Sequence, residues 1–276
     1  MQSLREVGIE IVKKCHGLPL AIKTIAGVLT TKERRRGEWE KILRRDAWSM
    51  ENLREDLRGA LYLSYEDLPS HLKQCYLFCS LFPEDSRFSR RDVVNYWIVE
   101  GFVDTQKDSF LEVADDCFEE LVRRNLIENA RGGFYKMHDL LRSLAQFLSG
   151  DESFCGEVHE LAKIPTAAKL RRLRITDRKL SVIPGPLLEQ KNLRTMFLNG
   201  CPTNGNDLFV RFSFLRFLVL SDSGIEYIPD ALGNLIHLRL LDLDRTKVSR
   251  LPESIRYLIN LQVLNLQYCY SLHVLP

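Results

Sequence analysis

The sequence lacks the features of secreted, membrane-spanning and zinc-binding proteins. No apolar run approaches the roughly 20 residues that cross a bilayer, and charged residues interrupt the N-terminal stretch where a signal peptide needs an apolar segment. The seven cysteines include no C-x-x-C pair, which argues against a zinc ribbon or a redox motif. We therefore expect a protein of the cytoplasm or the nucleus with reduced thiols.

Residues for catalysis and for cradling phosphate are also missing. A phosphate-binding loop needs the pattern G-x-x-x-x-G-K-[ST], and the chain contains no Gly-Lys pair. No Ser-His-Asp or Cys-His set has a spacing that indicates a catalytic centre. His71, Cys75 and Cys79 share one helical face, but no fourth ligand is evident, and buried packing is the favoured interpretation. We predict neither an enzyme nor a metal site.

The sequence is rich in one repeated pattern. The pattern L-x-x-L-x-L, with isoleucine at the end of the first copy and methionine inside the second, occurs five times, 22 or 23 residues apart, as LRRLRI, LRTMFL, LRFLVL, LRLLDL and LQVLNL. This period predicts a leucine-rich-repeat solenoid with one strand per repeat in a concave parallel sheet. We assign the solenoid to residues 160–276. The last repeat stops without a polar capping unit, and we expect the C-terminus to be truncated.

The residues before the repeats predict two helical regions. In residues 1–60, apolar side chains at helical spacing, a stop at Gly17 and a restart at Pro19 predict a small bundle. Residues 61–155 predict three helices and then two β-like runs about a Gly-Gly turn, which is the order of a winged-helix domain. The predicted fold class is therefore multidomain, α plus α/β, with a helical bundle and a winged helix followed by a leucine-rich-repeat solenoid.

Four segments carry a resemblance to a known family. GLPLAIKTIAGVL, LSYEDLPSHLKQCYLFCSLFPED, VVNYWIVEGFV and MHDLLRSLA look like the ordered motifs of plant nucleotide-binding leucine-rich-repeat disease-resistance proteins of the non-TIR, coiled-coil type. With the repeats, these motifs cover nearly the whole chain. The resemblance implies that residues 1–60 are the helical subdomain of an NB-ARC-like module. It further implies the C-terminal portion of an ADP/ATP-dependent switch in innate immunity, without its P-loop.

The resemblance also implies nucleotide contacts. It makes His138 the residue that meets the β-phosphate of ADP, and Pro19 the residue that packs on the adenine. His138 also lies where a strand gives way to a helix, and a helix N-terminus favours an anion. We expect Asp139 to cap that helix at the phosphate site. ADP or ATP is the expected cofactor of the full-length architecture, whereas this chain alone should bind it weakly or not at all.

Two other functions are compatible with the sequence. One is a repeat scaffold that binds no nucleotide, and the other is a DNA-binding winged helix. In DNA-binding members the third helix enters the major groove, but here that helix carries acidic residues that phosphates would repel: Glu112, Asp115, Asp116, Glu119 and Glu120. We expect no nucleic-acid or membrane partner. The expected partners are a pathogen effector or a guarded host protein, bound through the repeats, and the receptor's own N-terminal nucleotide-binding domain.

Two surfaces of the solenoid are predicted to make contacts. Apolar residues on the concave strands should face outward as a protein-contact strip: Phe197, Phe217, Val219 and Leu240. Cover by a neighbouring subdomain or by missing C-terminal repeats is the alternative for this strip. The second positions of four repeats should align arginines in a ladder: Arg171, Arg194, Arg216 and Arg239. Together with Arg172 and Arg174, the first rung is expected to dock on the acidic winged-helix residues. A solvated edge is the alternative.

Overall fold

The computed structural model describes residues 2–49, 54, 57, 59–103, 109–161, 163, 169–177, 180, 182–183, 185–200 and 205–276. The chain forms two compact units. The first comprises Met1–Ser80 and Glu84–Leu148, and the second comprises Leu81–Pro83 and Ser149–Pro276.

The first unit begins with a helical bundle. Its helices are α1 (Gln2–Lys14), α2 (Pro19–Thr30), α3 (Arg36–Leu43) and α4 (Ala60–Glu66). Val7, Ile11, Ile25 and Val28 are buried in one apolar cluster of this bundle. They recur at helical spacing on α1 and α2, so the sequence pattern that predicted helices also selected the buried faces.

The rest of the first unit is the winged helix. It contains α5 (Ser70–Phe78), α6 (Arg90–Glu100), α7 (Phe110–Arg123), the antiparallel strands β1 (Glu128–Asn129) and β2 (Tyr135–Lys136), and α8 (Asp139–Ser149). Helix α6 begins where the hydroxyl of Ser89 accepts the amide of Asp92, and it ends at Gly101, whose φ of 80° is left-handed.

Aromatic side chains fill the centre of the winged helix. Trp97, Phe118 and Tyr76 are fully buried, and the rings of Phe118 and Tyr135 lie 4.7 Å apart, edge to face. The hydroxyl of Tyr76 donates a hydrogen bond of 2.6 Å to the carbonyl of Leu141. This bond joins α5 to the first turn of α8. The two helices are therefore linked by a polar contact inside an apolar core.

The second unit is built on a six-stranded parallel sheet, in the order β3 to β8. The strands are β3 (Ser153–Gly156), β4 (Arg172–Ile175), β5 (Thr195–Leu198), β6 (Phe217–Val219), β7 (Leu240–Asp242) and β8 (Val263–Asn265). Short helices follow three of them: α9 (Val158–Leu161), α10 (Gly185–Leu188) and α11 (Gly205–Arg211). Later repeats use 3₁₀ segments at Asp230–Asn234 and Glu253–Tyr257.

The leucines of the repeat pattern form the core of the second unit. Leu173, Met196, Leu218 and Leu241 occupy one register column across β4 to β7 and are fully buried in one cluster. Each strand alternates these core residues with residues of the concave face, as the side-chain period of two requires. The predicted fold class, with helices and a winged helix followed by repeats, is confirmed.

A glycine sets the distance between two helices of the first unit. A Cβ atom on Gly27, in α2, would lie 2.7 Å from the carbonyl oxygen of Arg124 and 2.8 Å from its Cα. Both neighbours are backbone atoms, so no side chain can rotate away. The side-chain amide of Asn125 donates to the carbonyl of Lys23 at 3.1 Å in the same region. The absence of a side chain at Gly27 therefore permits this backbone contact.

We expect Gly27→Ala to lower the free energy of unfolding by about 1 to 3 kcal/mol, because the added methyl overpacks the contact. Gly37→Ala is the matched control. Gly37 also lies in a helix, but a Cβ there meets nothing within 4 Å, so the change should be neutral or stabilise by up to about 1 kcal/mol. Urea unfolding followed by circular dichroism measures both. Equal effects of the two substitutions would contradict the close backbone approach.

Candidate functional site

His138 lies between β2 and α8 and closes the first turn of that helix. Its ring Nδ1 accepts the amide of Leu140 at 3.3 Å, and its carbonyl accepts the amide of Arg142 at 2.9 Å. The imidazole is half-buried. The residue therefore has the role of an N-cap, in which a side chain takes up an amide that the helix itself leaves unpaired.

The prediction that Asp139 caps this helix is wrong. Asp139 is the first residue of α8, whereas the cap precedes the first helical residue. The side chain of His138 accepts the Leu140 amide from that preceding position. Asp139 contributes differently, because its negative charge lies at the positive end of the helix dipole.

The hydrogen bond that Nδ1 of His138 accepts indicates which ring nitrogen of the neutral imidazole is the donor. A neutral imidazole whose Nδ1 accepts a hydrogen bond carries its proton on Nε2. This tautomer is inferred from the hydrogen bond and not from an observed hydrogen. Nε2–H of His138 is then a donor beside the first turn of α8, which is an arrangement that suits an oxygen of an anion.

Pro19 is the first residue of α2 and is exposed. Its missing amide costs nothing there, because the first helical amides have no partner within the helix. The next turn is anchored by the buried residues Leu20, Ala21 and Thr24. Pro19 and His138 belong to the same compact unit, and neither residue is buried.

Sequence reasoning missed a buried ion cluster, which we call the Asp67 cluster. The carboxylate of Asp67, whose side chain is 4% exposed, lies 2.6 Å from Nζ of Lys32, 3.1 Å from a guanidinium nitrogen of Arg124 and 3.9 Å from one of Arg45. The side chain of Arg124 is also buried and pairs with Glu120 at 2.7 Å. Charges at such depth are tolerated only when they are paired.

The Asp67 cluster joins the C-terminal ends of three helices. Asp67 and Arg124 come directly after α4 and α7, and Lys32 lies two residues after the end of α2. Cations near helix C-termini are favoured by the helix dipole. The cluster thus ties the helical bundle to α7 of the winged helix within the first unit.

Three acidic residues of α7 have partners within their own unit. Arg90 donates to the carboxylate of Asp115 at 2.8 Å and also contacts Glu119, and Glu120 pairs with Arg123 and Arg124. Glu112 and Asp116 are exposed. In the second unit, Nε of Arg171 lies 3.8 Å from the carboxylate of Glu152. The docking of Arg171, Arg172 and Arg174 on the acidic residues stays a prediction.

The prediction of an exposed apolar strip is wrong. Phe197 and Phe217 are 1% and 0% exposed, and Val219 and Leu240 are 2% exposed each. The register places them on the concave face as expected, with Phe217 beside Leu240 and Phe197 beside Val219. Large side chains on adjacent strands also pack on one another, since the Phe197 and Phe217 rings lie 5.1 Å apart.

A cation covers one end of this concave face. The guanidinium of Arg174 lies 4.5 Å from the ring centroid of Phe197 and 5.7 Å from that of Phe82, which are cation–π distances. Phe82 belongs to the segment Leu81–Pro83, which clusters with the repeats. Arg174 therefore has an aromatic setting that its place in the basic stretch did not predict.

His71 and Cys75 lie on α5, Cys79 follows its last residue, and the three side chains have different surroundings. His71 is exposed, whereas both thiols are buried. Burial raises the pKa of the Cys79 thiol, because it disfavours the thiolate. Among the residues that the structure describes, no group of three or more His, Cys, Asp or Glu side chains is placed to hold a metal ion.

Two family models match the chain. The winged helix domain of disease resistance proteins matches residues 81–145, and a leucine-rich repeat region matches residues 192–276. The order of the two domains and the names of similar proteins indicate the same family. The chain belongs to the plant disease resistance proteins.

Particular relatives extend this similarity beyond the two models. Disease resistance protein RGA2 of Solanum bulbocastanum is 34% identical over 275 residues, which cover 98% of this chain and 26% of that protein. Disease resistance protein RPM1 of Arabidopsis thaliana is 31% identical over 249 residues, which cover 86% of this chain and 27% of that protein. The chain thus spans about a quarter of the length of the curated relatives it matches.

The solved structures that resemble this chain include a bacterial protein. The leucine-rich-repeat protein LIC12759 of Leptospira interrogans matches 45% of this chain and 31% of its own chain, with a TM-score of 0.38 and 24% identity. A likeness of that size does not define the fold. Within the part of this chain that the structure describes, no helix is both long and apolar enough to span a membrane.

Proposed function

We propose that the chain is the regulatory and sensing part of an ADP/ATP-dependent switch in plant defence. The observation that carries this proposal is the geometry of His138. Its Nδ1 is engaged by the first turn of α8, so Nε2–H is left to donate to a phosphate oxygen beside a helix N-terminus. In this proposal the ring of Pro19 packs on the adenine.

The chain supplies only part of the nucleotide site in this proposal. One donor and one proline ring do not replace a loop whose backbone amides and lysine surround the phosphates. A nucleotide-binding domain that precedes this region in the full receptor would supply those contacts. The chain itself would act by binding, without hydrolysing ATP.

The repeats are proposed to sense the pathogen. They would bind an effector or a guarded host protein, in the cytoplasm or the nucleus, and bias the switch toward its resting or active state. The relatives RGA2 and RPM1 are named as disease resistance proteins, which supports this role. The competing candidate is a repeat scaffold that binds no nucleotide.

His138→Ala is expected to weaken ADP retention about tenfold or more in a receptor that has a complete site. Such a receptor is a chimera in which the region preceding the match in RGA2 is joined to this chain. The loss follows because a hydrogen bond to a charged group contributes about 1.5 to 3 kcal/mol. His71→Ala, which removes an exposed imidazole from α5, is the matched control and should leave retention unchanged.

Isothermal titration with ADP provides the measurement. The chimera should bind ADP, and the chain alone should show no binding at micromolar concentrations. Equal ADP affinity of the chimera and its His138→Ala variant would refute the phosphate contact. Micromolar binding by the chain alone would show that the site is already complete.

A further inference from the structure

A small cavity lies beside the residues that directly precede strands β4 and β5. Its volume is about 250 Å³, and five side chains line it: Lys169, Arg171, Asn192, Arg194 and Phe214. All five belong to the second unit. Three of them are cations, one is an amide and one is an aromatic ring, and none is acidic.

The backbone places the two arginines of this cavity on neighbouring rungs. The amide of Arg194 donates to the carbonyl of Arg171 at 2.8 Å, and the amide of Arg216 donates to the carbonyl of Arg194 at 2.8 Å. The amide of Arg239 continues the series with a bond of 2.7 Å to the carbonyl of Arg216. The predicted arginine ladder is therefore present, with rungs about 4.8 Å apart.

The charges around the cavity favour an anion. Two like charges about 4 Å apart repel by about 1 kcal/mol even in water, so three cations around one small space are unfavourable until an anion enters. Glu152 is the acidic partner that the described ion pairs place beside this group, at 3.8 Å from Nε of Arg171. Its side chain is 48% exposed, and one screened carboxylate does not neutralise three cations.

The size and the chemistry of the lining narrow the class of anion. The volume corresponds to roughly eight waters at about 30 Å³ each, and it falls below the range of about 300 to 1,000 Å³ that is typical of drug-sized ligands. Guanidinium groups match phosphate oxygens with two parallel hydrogen bonds, and lysine binds phosphate as a point charge. Asn192 adds an amide donor.

The aromatic wall gives the cavity one apolar side. Phe214 is 55% exposed, and its ring is stacked on His237, with centroids 6.1 Å apart and planes 8° apart. This stack holds the phenyl ring in place without covering it. A ligand with a compact carbon ring or backbone between its phosphates has an apolar surface to meet there.

We propose that this cavity binds clustered phosphate groups, carried either by a small soluble polyphosphorylated molecule or by the headgroup of a polyphosphorylated lipid. The site lies on the repeats, outside the nucleotide site proposed above, and does not rest on it. Two arginines and Lys169 hold the phosphates, Asn192 donates to an oxygen, and Phe214 faces the carbon frame. Occupancy would displace Glu152 from Arg171.

The test uses the whole chain and two probes. Isothermal titration with inorganic tripolyphosphate at low ionic strength probes the soluble source, and flotation with phosphatidylcholine vesicles containing phosphatidylinositol bisphosphate probes the lipid source. We expect binding to at least one probe, about tenfold weaker binding by Arg194→Gln, and weakening as salt is raised toward about 1 M. Arg256→Gln removes the same charge from an exposed residue of a later repeat and should bind like the unchanged chain.

The outcomes separate a site from general attraction. Binding to tripolyphosphate identifies a soluble ligand class, and binding to the vesicles alone identifies a headgroup. Failure with both probes overturns the proposal. So does an equal loss in Arg194→Gln and Arg256→Gln, because net charge alone would then explain the binding. A glutamate hexapeptide that binds as tightly as tripolyphosphate would overturn the assignment to phosphate.

Discussion

Asp67→Ala is expected to lower the free energy of unfolding of the first unit by about 3 to 5 kcal/mol. Removing one member of a buried ion pair leaves its partner charged and without compensation. Here the change removes a carboxylate partner from both Lys32 and Arg124, and the side chain of Arg124 is only 8% exposed and keeps Glu120 as a partner. Such a loss is comparable to a large part of the stability of an ordinary domain.

An exposed ion pair provides the control for this prediction. Glu33 pairs with Arg35 at 3.0 Å, but both side chains are mostly exposed, so Glu33→Ala should change stability by no more than about 1 kcal/mol. Urea unfolding of both variants gives the comparison. If Asp67→Ala is as mild as Glu33→Ala, the Asp67 cluster does not hold the helical bundle to the winged helix.

Phe217→Ala is expected to lower the free energy of unfolding of the repeat unit by about 3 to 5 kcal/mol. The side chain is fully buried, its ring lies 5.1 Å from that of Phe197, and Thr195 and Leu240 flank it in the register. The substitution removes the ring and leaves a cavity that the fixed strand spacing prevents from closing.

Phe214→Ala is the matched control, since it removes the same side chain three residues earlier at a position that is 55% exposed. It should lower stability by less than about 1 kcal/mol. Thermal unfolding distinguishes the two variants. A loss in Phe217→Ala as small as that in Phe214→Ala would restore the first interpretation, in which the concave face is open for a partner.

The period of a repeat is encoded locally, and it was therefore readable from the sequence. Leucines that recur every 22 or 23 residues have to face one core, and β4 to β8 follow from them. Strand β3 does not carry the pattern. Its residues Ser153–Gly156 pair with β4 in parallel register, but without the leucines nothing in the sequence distinguished them from a linker.

Burial on the concave face and the Asp67 cluster were not readable in the same way. Alternation states which side of a strand a residue faces, but it does not state what covers that side. Thus the positions of Phe197 and Phe217 were predicted correctly, although their exposure was not. Asp67 and Arg124 lie 57 residues apart in the chain, and only the folded packing of three helix ends brings their charges together.

The functional interpretation of His138 came from its motif. The predicted cap of α8 was wrong by one residue, because His138 and not Asp139 occupies the capping position. The sequence favoured Asp139 as the cap because short acidic side chains commonly fill that position. In the structure, the histidine ring takes the helix amide through Nδ1. A local preference for one residue type cannot resolve a shift of one position at a helix end.

The hydrogen bond between Tyr76 and Leu141 has a mechanical consequence for the helix that begins after His138. Leu141 lies three residues after His138, in the first turn of α8. The imidazole and the carbonyl of Leu141 are therefore connected through one helical turn. A displacement of His138 that moves α8 therefore either lengthens the hydrogen bond between Tyr76 and Leu141 or moves α5 together with α8. The position of His138 is therefore coupled, through α8, to a hydrogen bond in the core of the winged helix.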